Sequence, residues 1–347
     1  MQVLVTGATG FIANRLIPQL LQRGHRVRAL ARDPARLDGR DWARATEVVR
    51  GDVLVASTLP AALEGVNVAY YLVHSLGSGG DYASRDLDGA RNFALAAERA
   101  GVQHIIYLGG LADPTQAIGP YMQSRAKTGV MLRSGAVPVT EFRASVIAGS
   151  GSASYEMIRR VVELLPLIPG PTWMRHRTQP IAAENVVDYL IGALDNETAR
   201  GKVFEIGGPD VMTYDELMLH FARVRRLRRQ MLLVPGLPVW LMALGFRLLT
   251  PVPQETAAAL VGELAVDSIV TQQEALRCFP EVQLRSFASV VRSTAAGMQR
   301  PWTERSRATL QRIWRGVEDA GQWILGATRS AGASLSVLPL LIGLPWM

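Results

Sequence analysis

A glycine-rich loop near the start of the chain is the first feature that could do chemistry. The sequence TGATGFIA at residues 6–13 follows an apolar run at residues 2–6 and leads into a helical pattern at residues 11–22. Glycines between a strand and a helix let the backbone approach a diphosphate, whose charge is met by the free amides of the first helical turn. We therefore expect a diphosphate-binding loop. Its contacts would come from Gly7, Thr9, Gly10, Phe11 and Ile12.

The residues after the next two strands indicate which dinucleotide the loop would bind. An acidic side chain after the second strand is typical of NAD(H), because it accepts hydrogen bonds from the adenosine ribose. Here the strand is followed by Arg32, whose planar guanidinium can pair with a 2′-phosphate, so NADP(H) is favoured over NAD(H) although Asp33 comes next. The alternative is a surface arginine in an arginine-rich chain. Asp52 and Val53 follow the third strand, where the carboxylate would bind adenine or only begin the next turn.

Alternating strands and helices must position these residues. Apolar runs typical of strands alternate with segments of helical spacing. The strands are predicted at residues 2–6, 25–30, 46–50, 66–73, 105–108 and 137–142, and the helices at residues 11–22, 87–100 and 121–134. Helical crossovers between strands imply a parallel sheet that is covered on both faces. The predicted fold class is α/β, with a doubly wound Rossmann-type sheet as a dinucleotide-binding domain over residues 1–148.

Beyond residue 148 the pattern changes to a smaller, mostly helical cap. A Gly-Ser-Gly-Ser stretch is followed by an apolar helix at residues 155–165 and a proline-rich segment at residues 166–171. We interpret residues 149–299 as a substrate or cap region, from which segments near residues 178–210 return to the sheet. Further helices are predicted at residues 215–229, 237–249 and 254–264. Residues 300–347 are expected to form a helical and apolar C-terminal extension.

Motifs along much of the chain point to a known superfamily. They are TGATGFIA at residues 6–13, GDV at 51–53, YYLVHS at 70–75, DLDGARNFALAAERAGVQHIIYLGG at 86–110, SGAVPVTEFRAS at 134–145, QPIAAENV at 179–186 and FEIGGPD at 204–210. With these motifs the chain resembles the short-chain dehydrogenase/reductase superfamily, specifically its atypical branch of NmrA-like and nucleoside-diphosphate-sugar-epimerase-like NAD(P)-binding proteins. The resemblance runs to about residue 265 and is specific to the branch rather than to a substrate.

The resemblance also implies three catalytic groups, of which this chain keeps one. Active members use a tyrosine that transfers a proton, a lysine four residues later and a serine or threonine after the fifth strand. Residues four apart share a helix face, so the ammonium can reach both the phenol and the cofactor. Here Tyr121 begins the predicted helix, but the position four later holds Arg125. Lys127 falls on another side of the helix, and Gly109 and Gly110 follow the strand without a hydroxyl.

Two residues are candidates for the missing roles. Arg125 can bind a ribose and stabilise a phenolate by its charge, but it does not give up a proton. His74 follows the fourth strand beside Val73, near the expected path of the nicotinamide ribose. We therefore treat Tyr121, Arg125 and His74 as candidate catalytic residues, and Val73 and His74 as further cofactor contacts. The alternatives are a surface tyrosine and a structural histidine.

Composition excludes several other classes of protein. The chain has 347 residues, of which 48% are hydrophobic, enough for a sizeable buried core. A single cysteine, Cys278, excludes a disulfide scaffold and a zinc cluster and indicates a reducing, cytoplasmic setting. The five histidines are scattered without carboxylates at ligand spacing, so no metal is expected. The first residues have no basic lead or long apolar core, so we expect no secretory signal.

The net charge of +7 comes almost entirely from arginine, since Lys127 and Lys202 are the only lysines among 37 basic residues. Such a surface suits nucleic acid, anionic lipid or phosphorylated ligands, but it is equally typical of compositional bias. Without a nucleic-acid motif, no nucleic-acid partner is expected. The apolar stretches at residues 231–249 and 335–347 contain prolines, and we interpret them as core or pocket lining. Peripheral contact with the inner face of a membrane is the alternative.

These features predict an NAD(P)H-binding oxidoreductase, a reductase or dehydrogenase that acts on an apolar small molecule. The stretch at residues 231–249 motivates the apolar substrate, because pocket walls are mostly hydrophobic. The absence of the serine and the lysine leaves a second hypothesis open, a non-catalytic NADP(H)-binding redox sensor or an assembly or accessory subunit. A sugar-nucleotide epimerase is disfavoured, because its chemistry depends on the same tyrosine and lysine.

Overall fold

The computed structural model describes residues 1–75, 81–112, 118–237 and 254–296. The strands in chain order are β1 (Gln2–Val5), β2 (Arg26–Ala31), β3 (Glu47–Arg50), β4 (Val68–Tyr71), β5 (His104–Gly110), β6 (Val139–Ala144), β7 (Ile147–Ala148), β8 (Leu167–Pro171), β9 (Arg177–Thr178), β10 (Ile181–Ala182), β11 (Val203–Ile206), β12 (Met212–Thr213) and β13 (Gln230–Val234). The α-helices are α1 (Ala13–Gln22), α2 (Leu59–Leu63), α3 (Tyr82–Arg99), α4 (Pro120–Arg133), α5 (Ala153–Leu164), α6 (Ala183–Asp195), α7 (Tyr214–Val224), α8 (Gln254–Gly262), α9 (Glu274–Cys278) and α10 (Phe287–Ala296).

Seven strands form one parallel sheet in the order β11-β6-β5-β4-β1-β2-β3. The direction of winding reverses between β1 and β4, so the carboxyl ends of these two strands border the crevice in which doubly wound sheets bind ligands. The predicted α/β doubly wound sheet is therefore confirmed. The predicted strand at residues 203–206 also returns to the sheet, where it pairs with β6 as an edge strand.

Apolar residues cover both faces of this sheet. Successive side chains of a strand point to opposite faces. Val3 and Val5 accordingly belong to one buried cluster with residues of α1 and α6, while Leu4 between them belongs to another with residues of α3. In β4 all four residues are buried. Such burial explains why the central strands are continuously apolar in sequence.

A third apolar cluster forms the core of the cap. It contains residues of α5, α7 and α10, among them Tyr155, Leu217, Phe221 and Phe287. Three short strand pairs lie outside the main sheet: β7 with β10, β9 with β12 and β8 with β13. Of the residues 178–210 that are predicted to return to the sheet, residues 178–182 form β9 and β10, which pair with β12 and β7 rather than with the main sheet, while Ile181 packs into the buried cluster of the sheet body. The proline-rich segment also forms a strand, β8, which pairs with β13 alone among the described residues and so tolerates proline.

The predicted helix at residues 215–229 is five residues too long, because α7 ends at Val224. The amide of Leu227 donates to the carbonyl of Ala222, and the amide of Arg226 donates to that of Arg223. This pair of bonds is a Schellman ending, with Arg226 in the left-handed region at φ 56° where glycine is usual. No local sequence signal marks this ending, because the left-handed position holds an arginine instead of a glycine.

Some predictions fall on residues that the structure leaves undescribed. The helix predicted at residues 237–249 lies almost wholly within residues 238–253, and the C-terminal extension lies within residues 297–347, both outside the described ranges. The domain boundaries at residues 148 and 299 stay predictions. Within the described ranges, no helix combines the length and the apolar character needed to cross a bilayer.

Thr6 joins the two strands that border the crevice. Its buried hydroxyl donates to the carbonyl of Tyr70 and accepts from the amide of Leu72, both at 3.0 Å. These bonds fix the carboxyl end of β4 next to the first residues of the glycine loop. An amide that loses its buried acceptor destabilises the fold.

We expect Thr6→Val to lower the free energy of unfolding by about 1–3 kcal/mol, because the amide of Leu72 would lose its acceptor. Urea unfolding followed by circular dichroism measures the change. Thr6→Ser keeps the hydroxyl and is the matched control, with a smaller loss expected. Equal stability of the valine and serine variants would show that the hydroxyl does not hold the two strands together.

Candidate functional site

A cavity of about 390 Å³ opens at the carboxyl ends of the sheet strands. The sheet body contributes the glycine loop and the residues that follow β4, β5 and β6, and the cap contributes the opposite apolar side chains. The predicted site residues that line it are Gly7, Gly10, Phe11, Ile12, His74, Tyr121 and Arg125. The predicted site residues outside it are Thr9, Arg32, Asp52, Val53 and Val73. The structure therefore brings the catalytic candidates and most of the loop together.

The geometry of the loop depends on two glycines. Gly7 has φ +64°, and a Cβ at this position would lie 2.8 Å from the carbonyl oxygen of Leu72. The amide of Gly10 donates to the carbonyl of Gly7 at 2.8 Å, and a Cβ on Gly10 would lie 2.9 Å from that same oxygen. A side chain at either glycine would therefore force the backbone to move. The half-buried Thr9 lies between them.

The amides after the loop are available to an anion. Those of Phe11, Ile12 and Ala13 donate to no acceptor within the described part of the chain, as expected for the first turn of a helix. Ile12 is the N-cap of α1 and provides no side-chain cap. Free amides and the helix dipole favour a diphosphate at this position. The loop therefore fits the dinucleotide that the sequence predicts.

The residues at the ends of β2 and β3 differ in their availability to a ligand. Arg32 is exposed and has no hydrogen-bond or ion-pair partner in the described ranges. The carboxylate of Asp33 accepts from the amide of Ala35 at 3.2 Å and caps the turn Pro34–Leu37. Asp52 likewise accepts from the amide of Leu54 at 3.0 Å, and Val53 is buried in the core. Of these side chains, Arg32 is the one that is exposed and makes no hydrogen bond or ion pair with the described part of the protein.

Arg125 joins the ends of two central strands. Its buried guanidinium donates to the carbonyl of Val73 at 3.1 Å and to that of Leu108 at 2.5 Å. It also lies over the ring of Tyr107, 5.0 Å from its centroid, as a cation–π contact. Val73 thus enters the site through its carbonyl, while its side chain packs against the core. Two of the donors of Arg125 are engaged with protein backbone rather than turned to the cavity.

Tyr121 lines the same cavity in the first turn of α4. Burial raises the pKa of its phenol, and the positive charge of Arg125 opposes this rise only in part. In the family pattern a lysine lowers the pKa of this tyrosine. Here the phenol keeps its proton at neutral pH and is a donor rather than a base.

His74 follows β4 and faces the cavity, which makes it accessible although protein atoms crowd around its ring. This desolvation and the nearby charge of Arg125 together lower the pKa of the imidazole to about 4, although the charge of Asp86 opposes the change. The ring is therefore neutral at pH 7. A neutral imidazole can donate one hydrogen bond and accept another.

Glu263 is a site residue that the sequence did not indicate. It is buried in the cap, and its carboxylate accepts from the amides of Gly119 and Tyr121 at 3.1 Å and of Met122 at 3.3 Å. It therefore supplies the N-terminal cap that α4 lacks in its own sequence. Burial raises the pKa of this carboxyl, and the three amide bonds oppose the rise. Because the partners are more than 140 residues apart, no local pattern reveals the contact.

Four hydroxyl groups meet in one cluster, and three of them, those of Ser145, Tyr214 and Ser268, belong to residues that line the cavity. Ser145 contacts Thr178 at 2.8 Å and Ser268 at 2.6 Å through their side-chain oxygens. Ser268 contacts the phenol of Tyr214 at 3.0 Å and the hydroxyl of Thr178 at 3.3 Å. Tyr214 is placed by the start of α7, where Thr213 forms a capping box with Glu216. We call Ser145, Thr178, Tyr214 and Ser268 the hydroxyl cluster.

The rest of the cap wall is apolar. Its side chains are Met157, Ile158, Met174, Leu217, Met218, Leu260, Val261, Leu264 and Val266. The stretch at residues 231–249, on which the apolar substrate was predicted, does not provide this wall in its described part, because Gln230–Val234 pairs with β8 instead. The apolar character of the cavity therefore comes from residues that the sequence pattern did not single out.

The first comparison with known proteins concerns the sheet body. Residues 7–157 match a protein-family model described as NAD(P)H-binding. This part of the chain is an NAD(P)H-binding domain. The match covers the glycine loop, the strand ends at β2 to β6, and α4 with Tyr121 and Arg125.

Individual relatives agree with this domain. A cinnamoyl-CoA reductase 1 from Oryza sativa subsp. japonica is 28% identical over 55% of this chain and 59% of its own length. A photosystem II assembly factor, Ycf39, from Trieres chinensis is 24% identical over 60% of this chain and 64% of its own. The chain thus spans less than two thirds of the length of these curated relatives.

A solved structure shows the same fold over a longer range. The NADPH-dependent quinone oxidoreductase of Escherichia coli, in complex with NADPH, has a TM-score of 0.67 at 19% identity and covers 84% of this chain and 99% of its own. At this identity the likeness concerns the fold. Together the matches confirm the predicted resemblance to atypical NAD(P)-binding proteins of the short-chain dehydrogenase/reductase superfamily.

We expect His74 to stay neutral from pH 8 down to about pH 5, because desolvation lowers its pKa to about 4 from the ordinary 6.5. Two-dimensional NMR of the histidine ring protons over this pH range measures the titration, and a His74→Gln variant assigns the signal. A midpoint near pH 6.5 for this ring would mean that the cavity does not desolvate it.

Proposed function

We propose that this protein is an NADPH-dependent reductase of an apolar small molecule. The observation that carries the proposal is a single cavity that joins the NAD(P)H-binding loop to an apolar cap wall and contains the protonated Tyr121. Binding pockets for small molecules are mostly apolar, with a few polar groups that orient the ligand. The name of the oxidoreductase with the same fold, which was solved with NADPH, agrees with this function.

The preference for NADPH over NADH rests on the end of β2. Arg32 is exposed and free of protein partners in the described ranges, whereas the carboxylate of Asp33 is engaged with the amide of Ala35. A guanidinium suits a 2′-phosphate, and a carboxylate engaged in a turn is less suited to accept hydrogen bonds from a ribose. Both features support NADP(H).

In the proposed reaction, different residues bind the cofactor, donate the proton and orient the substrate. Bound NADPH supplies the hydride. The amides of Phe11, Ile12 and Ala13 would hold its diphosphate, and Tyr121 would donate a proton to the oxygen of the substrate carbonyl as it is reduced, because burial keeps its phenol protonated. Arg125 limits the rise of the tyrosine pKa and fixes the strand ends beside it. His74, as a neutral ring, orients a ligand group by hydrogen bonding.

A second function is favoured by the contacts of Arg125. In the family pattern this position helps to activate the tyrosine and to hold the ribose. Here two donors of the guanidinium bond to the carbonyls of Val73 and Leu108, and Gly109 and Gly110 offer no hydroxyl. These features agree with a protein that holds NADPH without turnover, as a redox sensor or as an assembly or accessory subunit. The assembly factor among the relatives agrees with this alternative.

The proposed setting is the cytoplasm. Cys278 is free and is the only cysteine of the chain, which agrees with a reducing compartment. Contact with a membrane surface is a hypothesis that depends on residues 335–347, which lie outside the described ranges. Small-molecule binding is the partner interaction that the cavity supports.

We expect purified protein to oxidise NADPH in the presence of some members of a panel of quinones and aromatic ketones. Tyr121→Phe should lower kcat by about 10²–10⁴-fold, because general acid catalysis contributes on this order, and leave the Kd of NADPH unchanged. Absorbance at 340 nm measures turnover, and fluorescence titration measures binding. Tight NADPH binding without turnover on the whole panel would instead support the non-catalytic alternative.

We expect Arg32→Glu to weaken NADPH binding about tenfold or more, because a charge-assisted contact with the 2′-phosphate would be replaced by repulsion. The Kd of NADH should change much less. Arg44→Glu is the matched control, since Arg44 is also exposed but precedes the amino end of β3, whereas Arg32 follows the carboxyl end of the neighbouring parallel strand β2. Equal weakening of both dinucleotides, or equal effects of the two variants, would exclude Arg32 as the source of selectivity.

A further inference from the structure

The hydroxyl cluster is a polar site that the proposed mechanism does not use. Its members come from four separate segments: the residue after β6, the end of β9, the start of α7 and the segment after α8. Ser145, Tyr214 and Ser268 line the cavity, while Thr178 is fully buried behind them. Buried polar groups are usually retained in an apolar wall only where they are satisfied or bind a ligand.

We propose that the hydroxyl cluster binds the carbonyl oxygen of an uncharged ketone or quinone whose remaining surface is apolar. The proposal rests on the function proposed above and names the substrate class of that cavity. It assigns to Ser145 and Ser268 the hydrogen bonds to the substrate oxygen that Gly109 and Gly110, at the end of β5, cannot form because they have no hydroxyl.

The hydrogen-bond pattern of the cluster allows this role. Four hydroxyl groups share four contacts, so every proton has an acceptor within the cluster when no ligand is present. A serine hydroxyl rotates freely and can donate or accept. Ser145 is half-buried and contacts both Thr178 and Ser268; because Ser268 donates to Thr178, Ser145 can turn its own proton to a ligand while it still accepts from Thr178. The cluster therefore offers a donor without leaving a buried proton unpaired.

The charges around the cluster argue for an uncharged ligand. Asp267 lies next to Ser268 in sequence, and its carboxylate is paired with Arg177 at 2.7 Å and with His176 at 3.3 Å. The carboxylates of Glu263 and Asp267 are the charged groups that act on the phenol of Tyr214. Among the residues lining the cavity in the described ranges, Arg125 is the only arginine or lysine. An anionic group at the cluster would therefore meet negative rather than positive charge.

The apolar wall beside the cluster indicates which skeleton the rest of the ligand has. Leu217 and Met218 follow Tyr214 on α7, and Val266 precedes the segment that carries Ser268. Met174 and Leu264 also line the cavity. A ligand that places one oxygen on the hydroxyls has hydrocarbon surface around it, which favours an aromatic or aliphatic skeleton over a sugar.

The experiment compares two probes of the same shape on the complex with NADP⁺, in which no reduction occurs. The probes are 2-acetylnaphthalene and 2-isopropenylnaphthalene, which differ by a carbonyl oxygen in place of a methylene group. Ligand-observed NMR titration gives the Kd of each probe for the wild type, Ser145→Ala, Ser268→Ala and Tyr214→Phe. Ser154→Ala is the matched control, since Ser154 lines the cavity outside the cluster. Urea unfolding checks that each variant is folded.

We expect Ser145→Ala and Ser268→Ala to raise the Kd of the ketone about fivefold to tenfold, as loss of one hydrogen bond does, and to leave the Kd of the hydrocarbon unchanged. Tyr214→Phe should have a smaller effect, because its phenol acts through Ser268. Ser154→Ala should change neither. Equal changes for both probes, an unchanged ketone Kd, or no ketone binding to the wild type would each overturn the proposal. The Kd of NADP⁺, measured in the same samples, tests separately whether the protein binds the cofactor that the proposed reductase function requires.

Discussion

The whole site depends on how Arg125 holds the ends of β4 and β5. One guanidinium donates to the carbonyls of Val73 and Leu108, on neighbouring strands. The planar guanidinium has several donors in fixed directions and can bridge two carbonyls, whereas a lysine is a single flexible point charge. The departure from the family pattern therefore has a structural reason. The residues next to these two carbonyls along the chain, His74 and Gly109, line the cavity.

Most of the fold could be predicted from sequence, because its signals are local. Strand and helix periodicity, the glycine loop and the crossover rule together determine a parallel sheet, and the strand order follows the doubly wound pattern. The errors occur where the local signal misleads. Arg226 occupies a position where glycine normally ends a helix, and the prolines of β8 are compatible with a strand only because it pairs on one side.

The site was predictable only in part, for a related reason. The loop and α4 carry their own sequence patterns, so Gly7, Gly10, Tyr121 and Arg125, which line one cavity, could be named as candidates without a structure. The bonds of Glu263 to α4 span more than 140 residues, and the hydroxyl cluster draws on four segments. Serines and threonines are common, so only their proximity in the folded structure distinguishes the members of the hydroxyl cluster from the other serines and threonines of the chain. That Glu263 and the hydroxyl cluster belong to the cavity can be seen only in the folded structure, where the cap packs on the sheet body.

The bonds of Glu263 have a further consequence for how a ligand reaches the cavity. Three amides at the start of α4 are satisfied by a carboxylate that belongs to the cap. Any outward movement of the segment that carries Glu263 would strip the helix of its cap, at a penalty of about 1–3 kcal/mol for each amide not rescued by water. Admission of a substrate and the order of the helix that bears Tyr121 are therefore thermodynamically linked. With Glu263 in place, the first turn of α4 and the backbone of Tyr121 are held in position.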